Sequence, residues 1–354
     1  MRLERLALAA GVGLFLWLLH RIGLAVVWSS LLRLGWGFAA ILMLESVVVL
    51  LATLAWRQTL PRDRHVPFTS LLALRVAGDG VNALAPAAIV GGELVRAGLL
   101  TRFVGRAEAV GSVGLAALTQ FLSQILFVGV GAMVIRGNGL EPRLRILGVG
   151  LLSILYLMAT LLVRLSRAHS RDPKLPGRLL KRLGRVFVKL GPARLWRDVD
   201  RQVFGAVRDR PGRLLLSLLL FLLGWLVSVA EVFLILALLG APVSVGIALS
   251  IAVLMVFVEG ALFFVPGRVG VEEGGLFAIF GVLGLNSVDG FSLGLTRRLR
   301  EMAWGLLGLG VLAYLRRGKQ RPKATREETH EARPTNIRSS LSMASVEKVS
   351  GPVR

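Results

Sequence analysis

The sequence predicts an all-α polytopic membrane protein of about seven to nine membrane segments, two of them broken or re-entrant and related as an inverted repeat. Three observations lead there. The first is the apolar runs: Ala109–Ile135 and Ile146–Val163 contain no charged residue. At ~1.5 Å rise per residue, ~20 apolar residues in a helix cross the hydrocarbon core of a bilayer. The second is composition: of 354 residues, 55% are hydrophobic and 18% charged, with a mean hydropathy of +0.69. The third is a pair of interruptions, PAAIVGGELVR at Pro86–Arg96 and PGRVGVEEGG at Pro266–Gly275. Each has a proline, a glycine cluster (Gly91 and Gly92; Gly267 and Gly270) and a glutamate seven residues after the proline, Glu93 or Glu273. Proline and glycine break helices, and broken backbone at membrane depth persists only inside protein or against a polar cavity. Two breaks in corresponding halves point to a transporter-type site.

Taken in order, Met1–Arg5 and Leu6–Leu19 have the charged start and apolar core of a signal peptide, but His20 and Arg21 follow in place of a small-residue cleavage site. A retained first helix is expected. Trp36–Trp56 is the second span, apolar except for Glu45 and bounded by tryptophans at interface depth. Phe68–Leu84 carries Arg75 and Asp79 one turn apart on one face, where they neutralise each other. After the first break, Leu94–Leu100 leads to Ala109–Ile135 and Ile146–Val163, which are joined by a turn at Gly137-Asn138-Gly139. Within the basic stretch 164–213, Leu179, Leu183, Val186, Phe187 and Leu190 recur at helical spacing against arginines and lysines, the pattern of a helix lying on a membrane surface. The second half holds Leu214–Gly240 with Glu231, Val243–Val265 with Glu259, the second break, the short Leu276–Leu285, and Phe291–Leu315 with Arg297, Arg298, Arg300 and Glu301. The polar stretch 316–354 is expected to be a disordered tail. Four parts follow: a membrane half at 1–163, an interfacial segment at 164–213, a second membrane half at 214–315, and the tail.

A formal charge of +22 suggests nucleic acid until its distribution is read. Residues 164–213 hold 15 Lys/Arg against 4 Asp/Glu and residues 316–354 hold 10 against 4, so these two stretches carry 17 of the 22 charges. Basic residues flanking apolar spans mark the cytoplasmic side and gain from the anionic leaflet surface. A nucleic-acid partner is therefore excluded. With the N-terminus inside, the basic loops and the tail fall inside, the turns near 241 and 286 fall outside, and the two breaks face opposite leaflets. There is no cysteine, so thiol chemistry is excluded. The four histidines show no metal-ligand spacing, no hydrolase or nucleotide motif is present, and no cofactor is expected.

Ionised side chains at membrane depth cost ~2.5–3.5 kcal/mol each on insertion scales, so each needs a partner or water. Local pairing accounts for Glu93 with Arg96, Arg268 with Glu272, and Arg297 with Glu301. Glu45, Glu231, Glu259 and Glu273 have no cation at helical spacing and must find one across helices, with Arg96, Arg298 and Arg300 the counterparts. With Glu93 these seven make the eight-residue candidate substrate-binding set, and no catalytic or metal-binding residue is assigned. A cavity with both signs suits a zwitterionic or anionic lipid headgroup, because the arginine fork matches phosphate. Broken-helix N-termini after Pro86 and Pro266 would add backbone amides.

PAAIVGGELVRAGLL (86–100) and FFVPGRVGVEEGG (263–275) resemble the paired motifs of the lysylphosphatidylglycerol synthase transmembrane-domain family, and LTRRLREMAWGLLGL (295–309) is similar to its hopanoid-associated, HpnL-type branch. The resemblance covers roughly residues 1–315 and singles out Pro86, Gly91, Gly92, Glu93 and Arg96, then Pro266, Gly267, Gly270 and Glu273. It implies a flippase-like protein of the bacterial inner membrane with both termini cytoplasmic. With only 39 residues after 315, aminoacyl transfer by the chain itself is not expected. Three functions stay open: a lipid translocator, a non-transporting membrane subunit that partners a lipid-biosynthesis enzyme, and an intramembrane enzyme acting through paired carboxylates.

Overall fold

A computed structural model of the chain describes residues 17, 20, 28–29, 32–84, 91–135, 141–171, 193–261 and 270–317. Its elements, in order, are α1 (Gly37–Thr59), α2 (Phe68–Leu84), α3 (Gly91–Leu100), α4 (Arg106–Val134), α5 (Glu141–Arg171), α6 (Ala193–Asp209), α7 (Pro211–Leu239), α8 (Val245–Ala261), α9 (Val271–Val282) and α10 (Ser287–Arg317). No strand occurs among the described residues. The chain is an all-α, multi-pass membrane protein.

Among the described residues four helices are long and apolar enough to cross a bilayer: α1, α4, the Pro142–Arg167 part of α5, and α7; Val245–Gly260 in α8 is a shorter apolar helix. In lipid only a helix satisfies its own backbone, so each uncharged run of the sequence becomes one. Their ends follow local chemistry. Leu60 leaves α1 in extended conformation (ψ 149°) because Pro61 comes next. The last carbonyls of α1 then accept from Arg213 (Arg57 O, 3.0 Å; Leu60 O, 3.1 Å) and Arg210 (Leu60 O, 3.3 Å) at the start of α7. Pro211 opens α7, where a missing N–H costs nothing.

Neighbouring helices place the polar residues. α1 runs against α7 and touches α2 and α4; α7 also packs on α4 and α8; α8 carries α9. Ile41 of α1, Phe127 of α4, Ile235 and Leu236 of α7, Ile251 of α8 and Phe280 of α9 share one apolar core with Leu293 of α10. Phe127 and Trp225 stack with ring centroids 5.7 Å apart. Small hydroxyls join helices where apolar burial gives no preference for protein over lipid: Thr119 and Ser217 are 3.0 Å apart, and Thr59 donates to Ser112 O at 2.9 Å.

Several details differ from the sequence reading. The helices after the two breaks begin earlier than the sequence reading placed them: α3 at Gly91 instead of Leu94, and α9 at Val271 instead of Leu276. Gly91, Gly92 and the N-cap Gly270 thus sit at helix starts, and Glu93, Glu272 and Glu273 are already helical. Pro86, Pro266, Gly267, the first helix at 6–19, the surface pattern at 179–190 and the tail beyond 317 lie outside the described residues. The basic stretch contributes α6, which buries Val199 and Phe204 and packs on α4 and α5. On its exposed side a hydrogen bond from Arg208 holds the Asp209 carboxyl below the usual carboxylate range.

Candidate functional site

Two clusters of charge lie inside the helical layer. The first is built on α2 and α3. Arg75, Asp79 and Asn82 fall at i, i+4 and i+7, so they share one face of α2. Arg75 donates through Nε to Asp79 (3.1 Å). Arg96 of α3 donates to the other Asp79 oxygen and to Glu93 Oε1 (3.2 Å). Asn82 closes the loop: its Nδ2 donates to Glu93 Oε1 (3.3 Å), and its Oδ1 accepts the Gly92 N–H (2.7 Å). Two cations thus meet two anions. Burial strengthens these bonds by lowering the local dielectric, and the same burial makes each single deletion costly.

α10 supplies the second cluster. Its three arginines sit within four residues and reach four different helices. Arg297 pairs with Glu259 of α8 (3.7 Å) and Glu272 of α9 (3.1 Å). Arg298 grips Glu273 of α9 with both arms of its fork, Nε at 2.9 Å and Nη2 at 3.4 Å. Arg300 reaches Glu45 of α1 (3.0 Å) and Glu231 of α7. Glu301 lies 3.9 Å from Arg300. Glu273 also caps α9, because its Oε2 accepts the Gly270 N–H at 3.0 Å. Gly270 makes this possible with φ +77°, a conformation that suits glycine.

Six carboxylates therefore meet three guanidiniums in the second cluster, while the first is balanced. α1, which carries Glu45, also packs on α2, which carries Arg75 and Asp79, so the two clusters share α1 as a neighbour. α2 and α10 come together beside them at Gly80 and Gly308: a methyl on Gly80 would sit 2.7 Å from Gly308 Cα. Glu231 Oε1, Arg297 Nε, Arg300 Nε and Trp304 Nε1 are buried with no hydrogen-bond partner among the described residues.

All eight candidate residues lie in these clusters, but the pairing differs from the sequence reading. Arg297 crosses to Glu259 and Glu272 instead of serving Glu301 on its own helix. Arg96 serves Asp79 and Glu93, leaving the unpaired glutamates to α10. Sequence reasoning left Asp79, Asn82, Glu272 and Arg297 outside the candidate set. The i, i+4, i+7 spacing on α2 was the available signal for Asp79 and Asn82. Nothing along the chain pairs Arg297 with Glu259, because that contact depends on how α8 and α10 cross.

Beside the first cluster is a cleft lined by Trp56 of α1, Arg75 of α2, Glu93 and Arg96 of α3, and Val113, Ala116, Ala117 and Gln120 of α4. It measures about 260 Å³ out to its open mouth, with about 20 Å³ in its interior. Among the described residues no group of His, Cys, Asp or Glu is arranged to hold a metal ion. Chemically, the site offers fixed charges of both signs at membrane depth next to a small polar cleft.

Compared with known families, residues 5–310 match the description "Lysylphosphatidylglycerol synthase TM region". No curated protein and no solved structure matches the chain.

Proposed function

Because the chain belongs to the family of lysylphosphatidylglycerol synthase transmembrane regions, we propose that it is a lipid translocator of the flippase type, without chemistry of its own on the lipid. The observation that carries this reading is the pair of charge clusters that share α1 as a neighbour inside a membrane layer. Buried ion pairs are weak contributors to stability, and replacing them with apolar residues is often neutral or better. Ionisable groups that persist within membrane segments mark substrate or ion paths.

In this mechanism a charged headgroup enters among Glu93, Arg96, Glu45, Glu231, Glu259, Glu273, Arg298 and Arg300 while its acyl chains stay in lipid. Guanidinium–carboxylate pairs open toward the headgroup's phosphate and amine, then close behind it, so no charge is bare during passage. The elements around Glu93 and Glu273 enter from opposite leaflets as an inverted repeat, and rocking between them alternates access. The protein works in the bacterial inner membrane with both termini cytoplasmic, the basic segments resting on the anionic leaflet.

The test is a headgroup-accessibility assay in liposomes containing the full chain and a fluorescent phospholipid that an impermeant reductant quenches. Glu93→Gln, Arg96→Ala and Glu273→Gln are each expected to slow flipping at least tenfold. Flipping at the unaltered rate in all three, with the proteins inserted and folded, would remove the clusters from the mechanism.

A further inference from the structure

Among the described residues, two hydrogen-bond donors on side chains that line the cleft have nothing to donate to. Trp56 Nε1 and Arg96 Nε are both buried without a hydrogen-bond partner, in side chains 1% and 6% exposed as residues. Leaving a buried donor unmet is unfavourable, and more so when it is charged. They belong to different helices, α1 and α3, yet line the same space. Arg75 on the same wall donates through Nε to Asp79 and has its remaining guanidinium N–H groups in reserve. Gln120 brings a further amide from α4. Among the described residues the one carboxylate on the wall, Glu93, already accepts from Arg96 and Asn82, and Gln120 adds one amide oxygen. Donors therefore outnumber the acceptors left to meet them.

We propose that this cleft is a phosphate subsite, in which a phosphate group's oxygens accept from Trp56 Nε1–H and Arg96 Nε–H, with Arg75 and Gln120 at its sides. The proposal rests on the translocator reading and adds to it the residues that hold the phosphate. Size limits the occupant. The enclosed part of the cleft is about 20 Å³, far below the ~300 Å³ at which sites for drug-sized ligands begin. It takes one small headgroup fragment, not a whole lipid. Its interior of about 20 Å³ has room for about one water, the occupant a headgroup oxygen would displace. The α4 wall is Val113, Ala116 and Ala117, whose side chains bring no charge of their own to the cleft. A phosphate brings the negative charge that two arginines balance once Asp79 or Glu93 loosens its hold, so arrival of the ligand is coupled to opening of the first cluster. A phospholipid headgroup and free phosphate share this chemistry.

The experiment uses the purified full chain in detergent and measures binding by calorimetry with three probes: dihexanoyl phosphatidic acid, dihexanoylglycerol, which lacks the phosphate, and inorganic phosphate. Phosphatidic acid is expected to bind and dihexanoylglycerol not to. Trp56→Phe, which keeps an aromatic ring and removes the N–H, is expected to weaken phosphatidic acid at least fivefold. Ala117→Phe, at an exposed position on the mouth, is expected to weaken it at least tenfold while leaving every charge in place. Inorganic phosphate binding as tightly as phosphatidic acid would identify free phosphate as the source; much weaker binding would identify the lipid. If neither phosphate probe binds, or if both variants bind like the parent, the cleft holds water alone and the proposal is overturned. Flipping lost in Glu93→Gln but calorimetry unmoved by Trp56→Phe would sink the subsite and leave the translocator. Phosphate binding that follows the variants, in a chain that flips no lipid, would do the reverse.

Discussion

At the scale of single residues, Arg300 is the most exposed to a test. It is the cation for both Glu45 and Glu231, one from α1 and one from α7. Removing one partner of a buried pair leaves an uncompensated charge and costs about 3–5 kcal/mol. Arg300→Met is thus expected to lower the thermal midpoint of the detergent-solubilised chain sharply. Adding Glu231→Gln should return part of the loss, since it removes one of the two stranded carboxylates. A double variant no more stable than the single would mean that Glu231 does not depend on Arg300. Arg208 and Asp209 pair on the exposed side of α6, and breaking that pair should have no measurable effect, because such contacts compete with water. The sequence named Arg300 and both glutamates as candidates because each is a charge in an apolar run. Which glutamate meets which arginine was not legible, since helical spacing reports neighbours on one helix and these contacts cross between helices.

At the scale of elements, the contact between α2 and α10 decides where the charges sit. Gly80 and Gly308 let the two backbones touch, as small residues do in membrane interfaces. An alanine methyl at Gly80 would lie 2.7 Å from Gly308 Cα, so the helices must part. Overpacking of this kind costs about 1–3 kcal/mol. Gly310, one helical step away with nothing within 4 Å of an added methyl, is the control; Gly310→Ala should be neutral or stabilising by up to ~1 kcal/mol, the propensity gain over glycine. Thermal unfolding of the two variants side by side checks the pair of expectations. If Gly80→Ala is as stable as Gly310→Ala, the helices do not meet there. Spans were the most legible elements: an uncharged run has one stable form in lipid, so α1, α4, α5 and α7 follow the sequence within a few residues. Helix starts near the glycine clusters were less so. A glycine permits a break without requiring one, and at Gly91 the chain takes the helix, tied to α2 by the bond from the Gly92 N–H to Asn82.

At the scale of the whole molecule, α5 stands out. Within Pro142–Arg167 only 6% of its 18-residue apolar window is buried, with Ile146, Tyr156 and Leu157 among the large exposed side chains. Such a helix is tenable only in lipid, where its surroundings are as apolar as it is. The chain has no cysteine, so a Leu157→Cys variant carries a single thiol. That thiol should resist a water-soluble maleimide in intact liposomes and react after the bilayer is dissolved in denaturing detergent; labelling at the same rate in both would place α5 in water. The charge balance of the molecule has the same logic in reverse, since its surplus of basic residues lies outside the spans.

The arginines of the second cluster all come from α10, the last described helix, while Glu45, Glu231, Glu259, Glu272 and Glu273 come from helices translated before it. During synthesis these acids enter the bilayer ahead of their partners and must wait, hydrated or protonated, until residues 297–300 leave the ribosome. Synthesis of α10 is therefore the step at which these acids gain their counter-charges.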